Sequence, residues 1–315
     1  MNSLEGKVSD AFLKEFNLPK EFISHEAIAN AYYTYEKCES MAKLIKDRVN
    51  FDPKIAIICG SGLGDIGNLV ENAVSIPYTE IPEFPRSTVL GHLGNLIFGN
   101  LSGLPVVCMQ GRFHPFEGYS MSLCTLPIKI FKLLGCKMVI LTNAAGGLNR
   151  VLNVGDVMLI KDHMSFPLLS LKNPLIGVND ERFGPRFVPI NKLYTKSLRE
   201  LFKVCSHELN IPIHEGVYGT IGGPSYETIA DSRFCLTAGM DCVGMSTSHE
   251  AIVAAYCGLK VLACSIITDK APTDYEDEEP DHKEIVKVAA AKAKDIEKLI
   301  CCFLSKIKED LSLIE

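Results

Sequence analysis

One recurring pattern constrains this chain more than any other: a short apolar run that empties into glycine, alanine or hydroxyl residues. Residues 55–58 (IAII) lead into Gly60-Ser61-Gly62-Leu63-Gly64, residues 138–141 (MVIL) into Asn143-Ala144-Ala145-Gly146-Gly147, and residues 242–245 (CVGM) into Ser246. Continuous runs of this length read as strands buried on both faces. Residues 156–161, 216–221 and 261–267 predict further strands, and 95–98 with 105–109 a hairpin around Gly99-Asn100-Leu101-Ser102-Gly103. Helical spacing covers 25–49 as one amphipathic helix, 126–134 closed by Gly135, 192–209, 227–236, 248–256 closed by Gly258, and a terminal helix over 282–308. Strands alternating with helices, with no repeat and no linker, predict a single α/β domain over 25–315, a central mixed β-sheet flanked by helices. Residues 1–24, interrupted by Pro19, read as an irregular N-terminal extension, and 167–190 as a long loop rich in proline, glycine and asparagine.

The 315 residues are 47% hydrophobic and 22% charged, enough to bury a core that needs neither disulfides nor a metal. With 32 basic against 38 acidic residues, a net charge of −6 and no basic stripe, nucleic acid is not an expected partner. No apolar run approaches the roughly 18–20 residues that cross a bilayer, and the polar start MNSLEGKVSD lacks a signal core. Among twelve cysteines there is no C-x-x-C and no zinc-type Cys/His spacing, and Cys59, Cys108, Cys136, Cys242 and Cys264 sit inside apolar runs. They predict reduced core thiols, no metal site, no membrane partner and a soluble cytoplasmic protein.

Gly62-Leu63-Gly64-Asp65-Ile66-Gly67 matches the glycine fingerprint of dinucleotide-binding folds. Those folds also need a long crossover helix and then a parallel strand ending in an acid. Pro77, Pro82 and Pro85 interrupt the segment here, so a nicotinamide cofactor is not expected. The loop still suits an anion, because glycines admit close backbone approach and Ser61 adds a hydroxyl beside exposed amides. A tight turn without a ligand is the bland alternative. Gln110-Gly111-Arg112-Phe113-His114 follows another expected strand, with Arg112 and His114 on one face. With Ser61, the backbone at Ala144 and Ser246, they would form a phosphate seat at strand carboxyl ends.

In order, the fragments GSGLG, FPRSTVLGHLGN, QGRFHPFEGY, TNAAGGLN, NPLIGVNDERFG, GGPSYET and VGMST resemble the trimeric, 6-oxopurine-preferring purine nucleoside phosphorylases, over about residues 55–292. The resemblance implies the nucleoside phosphorylase fold and a homotrimer. It also implies reversible phosphorolysis of purine (2'-deoxy)ribonucleosides to free base and α-D-(deoxy)ribose 1-phosphate. Inorganic phosphate is then a co-substrate, with no cofactor and no metal. By the same resemblance Ser61, His92, Arg112, His114, the Ala144 amide and Ser246 match phosphate ligands. Phe116, Tyr226, Glu227, Val243, Met245, Asp269 and His282 match nucleoside-binding positions. Tyr226 packs at the nucleoside, Glu227 reads the purine edge, Val243 and Met245 wall base and ribose, and His282 meets the 5'-hydroxyl. His114, Glu227, Asp269 and His282 are the catalytic candidates. Read singly, each residue has a bland alternative: Arg112 a structural salt bridge, His92 and His114 satisfied histidines, Glu227 and His282 helix-start residues, Met245 core.

Asp269 departs from the family, which usually has asparagine there. Asparagine donates to N7 and to a 6-oxo oxygen, whereas an ionised aspartate only accepts and favours a 6-amino group. Protonated, it donates, which needs a raised pKa. Methylthioadenosine phosphorylases carry aspartate at the matching position, while Glu227 suits the N1–H of a 6-oxopurine. The pair predicts adenosine cleavage alongside inosine. Phe116 replaces a ribose-binding tyrosine, Leu169 stands near a site-closing phenylalanine of a neighbouring subunit, and Ser248-His249 replace Val-Pro. Two alternatives stand beside this reading. One is a methylthioadenosine phosphorylase, against which polar His282 argues; the other is a nucleoside-binding protein without catalysis.

Overall fold

The computed structural model describes residues 25–89 and 91–315, so the extension expected over 1–24 lies outside the described residues. β1 (Ile55–Cys59) is buried along its whole length, between parallel neighbours β4 (Leu104–Gln110) and β5 (Met138–Gly147). Beyond β4 come β3 (Asn95–Leu101), the hairpin partner expected from the sequence, and β2 (Glu71–Pro77), both antiparallel. On the other side of β5 follow β8 (Cys242–Gly244), β7 (Ile213–Thr220), β6 (Val157–Ser165) and β9 (Lys260–Lys270), and β9 pairs back onto β5. The nine-stranded mixed sheet is thus open at one side and closed into a ring at the other, with β5 common to both.

Side chains alternate along β1: Ala56 and Ile58 join one apolar core, while Ile55, Ile57 and Cys59 join a second. The first core packs helices Tyr35–Val49, Leu126–Leu134 and Ser248–Tyr256 through Ile45, Phe131 and Ile252. The second packs Lys196–Leu209 and the terminal helix His282–Glu309 through Phe202, Ile296 and Phe303. Of the twelve cysteines ten are buried, and Cys301 and Cys302 are half-buried. Among the described residues no helix is long and apolar enough to cross a membrane.

Several boundaries differ from expectation. Residues 25–49 form two helices, His25–Tyr32 and Tyr35–Val49, because Thr34 is extended and its hydroxyl oxygen accepts from the Lys37 N–H, capping a new helix. β2 was not expected: its first five residues are exposed, so it has no apolar run to betray it. β5 continues through the small residues 143–147, which pair with β9 and β8 rather than forming a loop. Thr228 caps the helix Ile229–Thr237, which leaves Glu227 outside it and removes the helix-start alternative for that residue.

Candidate active site

Because β1, β4 and β5 are parallel, their carboxyl ends meet at one edge of the sheet. Ser61 follows β1, Arg112 and His114 follow β4, and Ala144 lies within β5. The pairs Gly146–Val243 and Gly147–Cys242 dock β8 on the end of β5, which carries Ser246 to the same edge. β9 pairs Ile267 with Ala145 and Asp269 with Gly146, so Thr268 is a bulge residue. Ser61, Arg112, His114, Ala144, Ser246, Thr268 and Asp269, with Phe116, Tyr226, Glu227, Val243, Met245 and His282, line one open-mouthed cavity. His92 is not among the lining residues; its Nε2 stands 3.3 Å from Ser61 Oγ.

Eight further lining residues are not among the site residues expected from the sequence: Asn143, Ala145, Gly146 and Gly244 beside expected ones, and Val89, Ile221, Thr268 and Ile285 away from them. Ile285 lies one turn after His282 on the terminal helix, and that i,i+3 spacing was the available signal. Val89 sits in an irregular segment, where no spacing rule points to it, and Ile221 follows β7, at the end of the strand expected over 216–221.

At one end of the cavity the packing is close. A Cβ on Gly60 would come within 2.6 Å of the Thr142 carbonyl oxygen and 3.0 Å of Arg112 Nη1, so only glycine fits where β1 ends. Arg112 is 1% exposed; its Nε and Nη2 donate to the Glu250 carboxylate at 3.1 and 2.7 Å, and Nη1 donates to the Thr142 carbonyl at 2.6 Å. The salt-bridge alternative for Arg112 is therefore realised in a residue that also lines the cavity. Burial acts to raise the Glu250 pKa, but the Arg112 guanidinium outweighs it and holds the carboxylate ionised.

His114 presents Nδ1 to Glu117 Oε1 at 3.0 Å, and its backbone N–H donates to the same oxygen at 2.8 Å. Burial pushes Glu117 up, but hydrogen bonds from His114 and Thr88 prevail and hold it at about 2. Burial lowers the His114 pKa against the pull of Glu117, and it lowers His92 to about 4. Both rings are neutral near pH 7. Because Glu117 is ionised, the His114 proton sits on Nδ1 and leaves Nε2 as an acceptor.

Thr247 holds a positive φ of 74° with ψ −54°, and the Ser248 N–H donates to the Ser246 carbonyl at 2.9 Å. This is a γ-turn of the strained hand, costing a β-branched residue about 1–3 kcal/mol. The Asn143 amide donates to Thr247 Oγ1 at 2.9 Å, and Ser246 Oγ lies 3.1 Å from that same oxygen. The turn thereby fixes the Ser246 hydroxyl at the cavity wall.

The opposite end is looser. Asp269 Oδ1 accepts from the Thr268 hydroxyl at 2.8 Å, yet burial raises the Asp269 pKa. Burial also raises Glu227, with the Asp269 charge adding to the shift. Tyr226 is 38% exposed, and its hydroxyl lies 3.4 Å from His282 Nδ1. The Phe116 ring stacks on His114 at 4.6 Å. Leu169 is exposed. Ser248 accepts from the Thr220 hydroxyl, whereas His249 is fully buried and neither ring nitrogen has a hydrogen-bond partner among the described residues. Nothing in the structure explains that histidine. Among the described residues no group of three or more His, Cys, Asp or Glu side chains is placed to hold a metal.

A sheet that closes through β5, with a ligand cavity at its strand ends, is the architecture of the Phosphorylase superfamily, whose model matches residues 54–305. The purine nucleoside phosphorylase of Anopheles gambiae is 45% identical over 278 residues, covering 87% of this chain and 78% of its own length. That of Mus musculus is 44% identical over 278 residues, covering 87% of this chain and 96% of its own. The Schistosoma mansoni purine nucleoside phosphorylase, solved in complex with adenosine, matches with a TM-score of 0.83 at 44% identity, over 86% of this chain and 97% of that one. The chain belongs to the purine nucleoside phosphorylase family.

Proposed function

We infer that this protein cleaves purine nucleosides with inorganic phosphate, releasing the free purine and ribose or deoxyribose 1-phosphate. One observation carries the reading: a single cavity has oxyanion donors at one end and two carboxyls with raised pKa at the other. In this reading Ser61, Arg112, His114, the Ala144 amide and Ser246 take the phosphate, with His92 steadying Ser61. Three of the five Arg112 donors go to Glu250 and Thr142, which leaves two for phosphate oxygens. Neutral His114 accepts a phosphate hydroxyl proton at Nε2 and adds no positive charge that would blunt the nucleophile.

A phosphate oxygen then forms the bond to C1' as the C1'–N9 bond breaks, and the bonding pair leaves on the purine. Asp269, whose pKa burial raises, gives a proton to N7 of the departing base from its protonated form. Glu227 accepts from N1–H of a 6-oxopurine, His282 and Tyr226 meet the sugar, and Val243, Met245 and Phe116 wall the nucleoside. The protein contributes position and preorganised charge rather than a covalent intermediate. Asp269 can also accept from a 6-amino group when ionised, so adenosine is a substrate alongside inosine; the adenosine complex of the Schistosoma relative supports this.

The reading includes phosphate as the sole co-substrate, cytoplasmic residence and a homotrimer. Exposed Leu169, Leu171 and Phe187 support a subunit contact near the loop 167–190, and sedimentation of the purified protein tests it. For the reaction, inosine, guanosine, adenosine and methylthioadenosine are assayed with and without phosphate. Phosphate-dependent release of hypoxanthine from inosine is the expected result. Its absence overturns the reading in favour of a binding protein, and turnover of methylthioadenosine alone reassigns the substrate. No adenosine turnover above background removes the 6-amino part.

A further inference from the structure

Glu250 stands outside the cavity, yet it holds one of the cavity's principal donors. It lies 138 residues from Arg112 in sequence, is 1% exposed, and meets Nε and Nη2 of the guanidinium with both carboxylate oxygens. A two-point fork of this kind fixes the plane of the guanidinium as well as its position. Thr142 O takes a third N–H at 2.6 Å, so the side of the group turned away from the cavity is fully engaged. Glu250 also belongs to the first turn of the helix Ser248–Tyr256, which begins at the γ-turn that carries Ser246. One helix start therefore anchors two groups of the oxyanion end, Ser246 through the backbone and Arg112 through a carboxylate.

We propose that Glu250 is a positioning residue for phosphate: it mounts Arg112 on the helix turn that carries Ser246, so that both donors meet the oxyanion in fixed register. The proposal rests on the phosphorolysis reading. Its charge also matters. With Arg112 balanced by Glu250 and both histidines neutral, this end of the cavity binds phosphate through directed hydrogen bonds rather than through excess positive charge. Orientation is then what affinity depends on, and a misaligned guanidinium is costly.

The test compares full-length wild type, E250Q and E250D by steady-state kinetics, varying phosphate and inosine separately and confirming folding by circular dichroism. Wild-type turnover of inosine with phosphate checks the underlying reading on its own. E250Q is expected to raise KM for phosphate about tenfold or more, with KM for inosine within twofold of wild type. E250D, which keeps the charge on a shorter arm, should fall between. Arsenate in place of phosphate should show the same ordering. A folded E250Q whose phosphate KM stays within twofold, or whose two KM values rise together, overturns the proposal. So does failure of both variants to fold, which makes Glu250 a structural counter-ion only.

Discussion

At the end of the cavity proposed to take phosphate, polar side chains are held by fixed partners: Arg112 by Glu250 and Thr142, His114 by Glu117, Thr247 by Asn143. At the end proposed for the purine, Tyr226 and His282 reach each other across 3.4 Å at the surface, and the hydrogen-bond partner of Asp269 among the described residues is its neighbour Thr268. The first region is assembled from strand ends and cannot change without disturbing the sheet. The second combines a strand residue, Asp269 of β9, with the irregular segment of Tyr226 and Glu227 and the helix start at His282. Of the departures from the family pattern expected from the sequence, Phe116 and Asp269 lie on the side proposed for the nucleoside, while Ser248 and His249 begin the helix next to Ser246.

Replacing Arg112 should give the largest effect. R112A is expected to lower kcat/KM for phosphate about 10³-fold, in line with loss of preorganised charged donors. It should also cost about 3–5 kcal/mol in urea unfolding, because Glu250 is left buried without its partner. A variant that loses activity while keeping full stability would break the contrast drawn here. Next in size is D269N at the opposite end. Its amide donates to a 6-oxo group, so the ratio of kcat/KM for adenosine over inosine should fall about 10- to 100-fold with the melting temperature nearly unchanged.

His249 gives a smaller effect that depends on pH. Burial lowers its pKa to about 4, so between about pH 6.5 and 4 the unfolded chain binds a proton that the folded protein refuses. The stability held by neutral His249 is complete above pH 6.5 and is lost on acidification through that window. Relative to H249L, wild type should lose about 1–3 kcal/mol of unfolding free energy between pH 7 and pH 4.5. Parallel curves for the two proteins would contradict this. The smallest change is expected from F116Y, which restores one hydroxyl near the sugar and should lower KM for inosine about two- to fivefold.

What the sequence discloses follows the same division. Ser61, Arg112, Ala144 and Ser246 were legible because each follows a buried apolar run, and a strand end is a place that a parallel sheet reserves for ligands. Glu250 was not legible. A charged residue in a helical stretch looks like a solvated face, and its partner is a hundred and more residues away. β2 was missed because its exposed residues carry no apolar period, and Val89 because its irregular segment obeys none. Thr34 was overlooked because the apolar spacing runs across the break while a single hydroxyl decides it.

β5 has a consequence for how such a site can evolve. Ala144 and Gly146, on one unbroken extended backbone, stand beside the two chemical ends of the cavity, about 7 Å apart at the rise of a strand. In the proposed reading the sugar lies between those ends, so the strand works as a calliper. The surplus residue Thr268 decides which neighbour on β9 faces the far jaw. Deleting it would shift which β9 side chain pairs beside Gly146 while leaving the pairing up to Ala145 unchanged. Insertion and deletion along β9, as well as substitution, are thus a route by which this architecture can be re-gauged for a different leaving group.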